Sequence, residues 1–421
     1  MQLQTHPSGE RTEHIDYFVP RVYNLIKSYF EGDIDMILIK NGHVKTMAGP
    51  DLPCGDVLIE NGKIKEVGVG LAAPEGTQVI DAAGRLVTPG IVEAHCHIGL
   101  DNEGMGWEGH DFNEAVDPCT PHLRAIDSIN PMDEAFENAV KAGVTTAVTG
   151  PGSANVLGGT FVAIKLYGKR VDDMIVKDPV AMKAAFGENP KRVYSNSKKS
   201  PTTRMGTAGV LREILFKAKR YMEEKETAEK NGDKLPPFDM KMEALIPVLK
   251  KEIPLKAHAH RADDIFTSIR IAKEFDLNLT LDHCTDGSLI ADELAKEGYP
   301  AFVGPSLGQK TKIELLNKSF ETPGVLNKAG VNVSIITDAP VIPLQYLPLC
   351  AGMATASGMG YEEAWKAITI NPAKANGIAD RVGSLEPGKD ADVVIFEGDP
   401  LKDVSAHAAV KVIDGKIIYS E

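Results

Sequence analysis

Residues 87–98 read as a short apolar strand that ends in His95-Cys96-His97. Side chains alternate along a strand, so positions i and i+2 share a face. His95 and His97 therefore lie together at the carboxyl end, where two neutral imidazoles can chelate one cation. Two histidines satisfied by backbone partners are the bland alternative. Residues of the same chemistry recur where later apolar runs stop. Residues 255–260 end in His258-Ala259-His260, residues 277–283 end in His283, and residues 331–338 end in Asp338 before Ala339-Pro340. Histidines and a carboxylate form a nitrogen and oxygen donor set suited to zinc, manganese, iron or nickel.

These residues are far apart in the chain, so the elements between them must gather them. Across 421 residues, 43% are hydrophobic and 25% charged, which suits one large domain and a smaller one. The net charge of −13 argues against nucleic acid as a partner. No apolar run reaches the length of a membrane span, and residues 1–30 lack the basic start and apolar block of a signal peptide. The five cysteines are odd in number and form no Cys-x-x-Cys pair, so a reducing cytoplasm is expected rather than a disulfide framework. Cys96 and Cys284 are expected to be small buried hydrophobes facing away from the site.

Residues 35–90 give short alternating strands, with Asn61-Gly62 as a hairpin turn. The same grammar returns at 391–396 and 410–419, with Asp414-Gly415 as the turn. Both ends are expected to build one small β-domain (35–88 with 385–421), leaving 1–34 as an extension that packs as an extra helix. Between them, β-rich runs alternate with helical patterns. Residues 130–143 predict a helix with Asn130 as cap, Pro131 in the first turn and Gly143 at the end. Residues 264–275 predict another, with Ile265, Ile269, Ala272 and Phe275 on one side. Repeated strand–helix units imply a parallel sheet, and about eight of them match a closed (β/α)8 barrel over 89–384, a fold that needs ~250 residues. A doubly wound open sheet is the runner-up, weakened because no Gly-x-Gly-x-x-Gly opens a helix after a strand. Residues 187–240 read as a long loop plus a helix at the rim. The glycine-rich stretch 149–159 is a flexible loop, or else a cradle for an anion. Residues 101–121 are expected to form a pocket wall.

The order of these motifs resembles the amidohydrolase superfamily, in the branch related to imidazolonepropionase and the prolidase-like (Xaa-Pro) dipeptidases. The carriers are Pro89-Gly90 through His97, the run 258–265, His283, Thr337-Asp338 and the tail 371–392. The resemblance covers about 35–421. It implies a TIM-type barrel flanked by a β-sandwich from both termini. It also implies that His95, His97 and Asp338 hold the more buried metal and that His258 and His283 hold a second. A carboxylated lysine would bridge them: Lys183 by strand count, Lys165 as the alternative. His260 would stand beside the metals and help stabilise an oxyanion, as could Arg261. The implied cofactor is one or two divalent metals per chain, zinc first. The implied reaction is hydrolysis of amide, peptide or cyclic amide bonds in a small molecule, by hydroxide raised on the metal with Asp338 as general base. A mononuclear ring-opening hydrolase or deaminase is the alternative, and a non-catalytic scaffold ranks below both. A homo-oligomer is expected, with no nucleic acid or membrane partner.

Overall fold

Two eight-stranded sheets carry the chain in the computed structural model, which describes residues 36–420. The helix expected within 1–34 lies outside the described residues. The first sheet takes β1 (Met36–Val44), β2 (Leu52–Glu60), β3 (Lys63–Gly68), β4 (Gln78–Asp81) and β5 (Leu86–Pro89) from the start of the chain. It takes β14 (Val393–Glu397), β15 (His407–Ile413) and β16 (Lys416–Ser420) from the end. The two groups join where β14 pairs antiparallel with β5. Asn61 and Gly62 (φ 51° and 75°), and Asp414 and Gly415 (φ 48° and 75°), make the tight turns that alternation around Asn-Gly and Asp-Gly predicts. Ile37, Ile39, Val57, Val87, Val393 and Ile395 pack into one apolar core of this sheet.

The second sheet runs in chain order: β6 (Ile91–Cys96), β7 (Val144–Thr149), β8 (Leu157–Lys165), β9 (Ile175–Ala185), β10 (Leu255–Ala259), β11 (Leu279–His283), β12 (Ala301–Val303) and β13 (Val333–Ile335). It curls into a nearly closed barrel. Most of its strands are buried along their whole length, which is why they read as apolar runs rather than alternating ones. Around it pack helices such as Ala262–Phe275, with Ile265, Ile269, Ala272 and Phe275 turned inward.

The sheet is not wholly parallel. β8 runs antiparallel to both β7 and β9, while every other ladder in the barrel is parallel. Apolar runs carry no direction, so a strand reversed by a short connection looks like any other. The reversal places the carboxyl end of β8 at the opposite end of the barrel from the ends of β6, β9, β10 and β11. Lys165 pairs in register with Thr146, near the start of β7.

The seam between β13 and β6 is closed by other means than a ladder. Ala367 O accepts from Ile335 N at 3.0 Å and Ile368 O from Val92 N at 2.8 Å, so one segment binds the end of β13 and the start of β6. Higher up, the Glu93 carboxylate accepts from His95 N (2.9 Å), Thr337 N (2.9 Å) and Thr337 Oγ1 (2.7 Å). A side chain thus ties the two strands where their backbones do not meet.

Three local expectations are corrected. The helix after residue 130 begins at Glu134, capped by the Asp133 carboxylate on Ala135 N. Asn130 instead makes a turn by accepting from Met132 N and donates to Asn102 Oδ1. Residues 187–240 are mostly helical, as Glu188–Asn196 and the long Arg204–Asn231. The glycine-rich stretch is packed rather than loose, since a Cβ at Gly150 would lie 2.3 Å from the Phe161 ring.

Lys165 is buried between the barrel and the first sheet. Its Nζ lies 2.6 Å from Asp392 Oδ2, 3.1 Å from Asp390 Oδ2 and 3.2 Å from Asp414 Oδ1. Replacing it leaves two buried carboxylates without their shared cation. Lys165→Met is expected to lose about 3–5 kcal/mol of stability, read as a lower urea midpoint, with metal content unchanged. Intact stability with lost metal would return Lys165 to the metal site.

Candidate metal centre

Carboxyl ends of strands converge on one mouth, and the residues singled out in the sequence meet there. His95 Nε2 and His97 Nε2 lie 3.4 and 3.2 Å from Asp338 Oδ1. Lys183 Nζ, on β9, lies 3.3 Å from His95 Nε2. His95, His283 and Asp338 each offer one ligand atom, and the three atoms lie within 4.8 Å of one another. His258, His260 and His283 form a second such group on the same criterion. His283 belongs to both.

Local backbone aims these groups. His283 and Cys284 have φ of 76° and 44°, and Asp338 has φ of 55°. Non-glycine residues in this region carry strain of about 1–3 kcal/mol each and cluster at functional sites. Cys96 and Cys284, by contrast, sit in the apolar core with their thiols near the Val148 and Leu281 carbonyls.

Carbonyl oxygens decide two of the tautomers. Gly150 O lies 2.7 Å from His97 Nδ1, and Gly304 O lies 2.7 Å from His283 Nδ1. A carbonyl only accepts, so each Nδ1 carries the hydrogen and each Nε2 presents a lone pair. Gly304 can come this close only without a Cβ, which would stand 2.1 Å from Ile336 O. His283 Nε2 is buried with no hydrogen-bond partner among the described residues. An orphaned lone pair among imidazoles and a carboxylate fits a divalent cation.

Electrostatics favour the ligand forms. Burial holds His95, His258 and His283 below the ordinary histidine value and takes His260 to about 4, so they are neutral at pH 7. Burial alone would raise Asp338, but the surrounding imidazoles of His283, His95 and His97 outweigh it and keep the carboxyl well below its usual range. Burial pulls Lys183 below the ordinary lysine value, against the opposing pull of Asp282 and Asp338.

The geometry draws no line between His258 and His260 as ligands. His258 Nε2 has Asn189 Nδ2 at 3.3 Å, and His260 Nδ1 has Thr285 Oγ1 at 2.7 Å with Glu314 Oε1 3.8 Å from its Nε2. Arg261 forks onto Asp263 at 3.0 and 2.9 Å, with 41% of its side chain exposed. From loop 101–121, Phe112 packs its ring 5.4 Å from that of His97, so this loop does supply wall. Trp107, in the same loop, is 87% exposed.

Sequence reasoning missed the groups behind the ligands. Glu93 is buried and pushed up to about 7 by that burial, against hydrogen bonds from Thr337 and His95. Lys256 is drawn down to about 8 by burial, with Asp282 opposing. Asp282 Oδ2 lies 3.0 Å from His95 Nδ1. The signal was present, because each is a charge within a short apolar strand, one or two positions from a histidine. Asn189 carries no such signal, being brought in by the helix that follows β9.

Known proteins share both the chain pattern and the fold. A family model described as the amidohydrolase family matches residues 86–419. Amidohydrolase tasK of Hapsidospora irregularis is 30% identical over 394 residues, covering 87% of this chain, although the match spans only 40% of that relative's length. Imidazolonepropionase of Porphyromonas gingivalis is 25% identical over 422 residues, covering 90% of this chain and 92% of that protein. The solved structure of an amidohydrolase from Thermotoga maritima superposes with a TM-score of 0.89 at 45% identity, covering 91% of this chain and all of that one. On this match, with the histidines and Asp338 gathered at the mouth of a barrel, the chain belongs to the amidohydrolase family.

Proposed function

We propose that this protein hydrolyses carbon–nitrogen bonds of a small molecule (amide, peptide or cyclic amide) at a pair of divalent metals. The reading is carried by His283, whose buried Nε2 has no partner among the described residues and which is common to both donor groups. His95, His97 and Asp338 would hold the first cation, and His258 and His283 the second. Zinc suits this donor set, as do manganese, iron and nickel. A cation held there would supply Lewis-acid chemistry, acidifying water and polarising a carbonyl oxygen.

The chain's own groups do the rest. Asp338, ionised at neutral pH, accepts a proton from water and delivers it to the departing nitrogen. Lys183, made less basic by burial, offers its neutral amine to carbon dioxide. A bond forms from Nζ to carbon, one amine proton leaves to solvent, and the resulting carbamate, its single negative charge shared by two oxygens, would help hold the cations. His260, neutral and fixed through Thr285, faces the same space and can donate to an oxyanion.

A mononuclear ring-opening reaction is the second reading, supported by the likeness to imidazolonepropionase over 90% of the chain. Metal content separates the two. The binuclear reading expects about two metals per chain, falling to about one in Lys183→Met. About one metal in both proteins supports the mononuclear reading instead.

Chelation should abolish turnover of a responsive substrate, found by screening dipeptides, N-acyl amino acids and cyclic amides, and added zinc or manganese should restore it. Asp338→Asn should keep the circular dichroism of the wild type while turnover drops by about 10³-fold or more. Unchanged turnover would remove Asp338 from its role.

A further inference from the structure

Lys256 is a fully buried cation that the proposed chemistry leaves without a task. It stands on β10 in register with Lys183 on β9. Its Nζ donates to Ala94 O at 3.1 Å and to Asp282 Oδ1 at 3.3 Å. The ammonium lies 3.9 Å from the centre of the Phe302 ring and 5.5 Å from that of Phe161.

These partners surround one imidazole. Ala94 is the residue before His95. Asp282 turns its other oxygen to within 3.0 Å of His95 Nδ1, and both atoms are buried without an aligned hydrogen-bond partner among the described residues. Phe161, which walls Lys256, also packs its ring 5.2 Å from that of His95. On the remaining side, His95 Nε2 faces Lys183 Nζ and Asp338 Oδ1. An amine donates toward Nε2, which leaves the ring hydrogen on Nδ1, toward Asp282.

The geometry points to Lys256 as a positioning residue for His95. By holding both the Ala94 carbonyl and the Asp282 carboxylate, it fixes the imidazole in the tautomer with hydrogen on Nδ1 and aims Nε2 at the metal centre. Neighbours that orient a ligating histidine typically change metal affinity when removed. This inference rests on the proposed role of His95 as a ligand. A lysine serving only to balance the charge of Asp282 would leave the tautomer of His95 alone.

The test uses the full chain with ¹⁵N-labelled histidine, stripped of metal, with His95→Asn assigning the His95 signals. In the wild type, the ring nitrogens of His95 should report one tautomer, protonated at Nδ1. In Lys256→Met they should report a mixture. Lys256→Gln carries the same expectation, its side chain being too short to hold both partners, and it serves if the methionine variant does not fold. Zinc affinity, measured by competition with a chromophoric chelator, should fall about 10–100-fold in either variant. An unchanged tautomer in a folded variant overturns the inference, and so does unchanged zinc affinity. Failure of the wild type to bind zinc, manganese, iron or nickel, with the tautomer still shifting, would sink the metal reading while leaving the orienting role of Lys256 in place.

Discussion

Charges enclosed by a packed barrel must answer one another, because an ion taken out of water without a partner costs several kcal/mol even after relaxation. Glu93, Lys183, Lys256 and Asp282 are all fully buried inside this one. Each is met by a neighbour. Thr337 and the His95 backbone meet Glu93, while Asp282 stands between the two lysines, with one oxygen 3.3 Å from Lys256 and the other 3.9 Å from Lys183. The imidazoles take their orientation from this framework and from the carbonyls of Gly150 and Gly304.

Closure of the barrel and construction of the site are one problem in this fold. At the seam, the ladder between β13 and β6 is replaced by a carboxylate that binds backbone N–H groups on both sides. One of those groups belongs to His95, and the other to Thr337, the residue before Asp338. The distance between two candidate ligands from opposite ends of the barrel sequence is thereby set by Glu93. His97 N donating to Ala339 O at 2.7 Å repeats the tie one step further toward the mouth. Asp338, pinned between these two ties, can sustain its left-handed backbone.

Much of this was legible because its signals are local. Asn61-Gly62 and Asp414-Gly415 announced their hairpins, and His95-Cys96-His97 announced a shared face. The convergence of His258, His283 and Asp338 on one mouth followed once a barrel was assumed. The direction of β8 was not legible, since an apolar run reads alike both ways, and that direction decides which lysine reaches the histidines. Strand count favours Lys183 and leaves Lys165 as the alternative, and the reversal carries Lys165 to the far end, among Asp390, Asp392 and Asp414. The helix at 134 was placed too early because Asn130 and Pro131 have the chemistry of a helix start, but Asp133 bonds the first free amide. Glu93, Lys256 and Asp282 were passed over because a lone charge in a strand reads as an interruption. Its meaning depends on what the neighbouring strands place opposite.

The register of Lys183 with Lys256 has a consequence for the carboxylation proposed above. Two lysines paired on adjacent parallel strands point to the same side of the sheet, here the interior. As ammonium ions they repel across a medium that screens poorly, and one aspartate between them cannot satisfy both at close range. A carbamate on Lys183 changes the sign of that neighbour. Repulsion of Lys256 becomes attraction, and Asp282 is left free to serve Lys256 and His95 alone. The same burial that makes the Lys183 amine reactive thus also favours the product. An arrangement that looks overcharged as two bare lysines would be balanced if Lys183 carried the proposed carbamate.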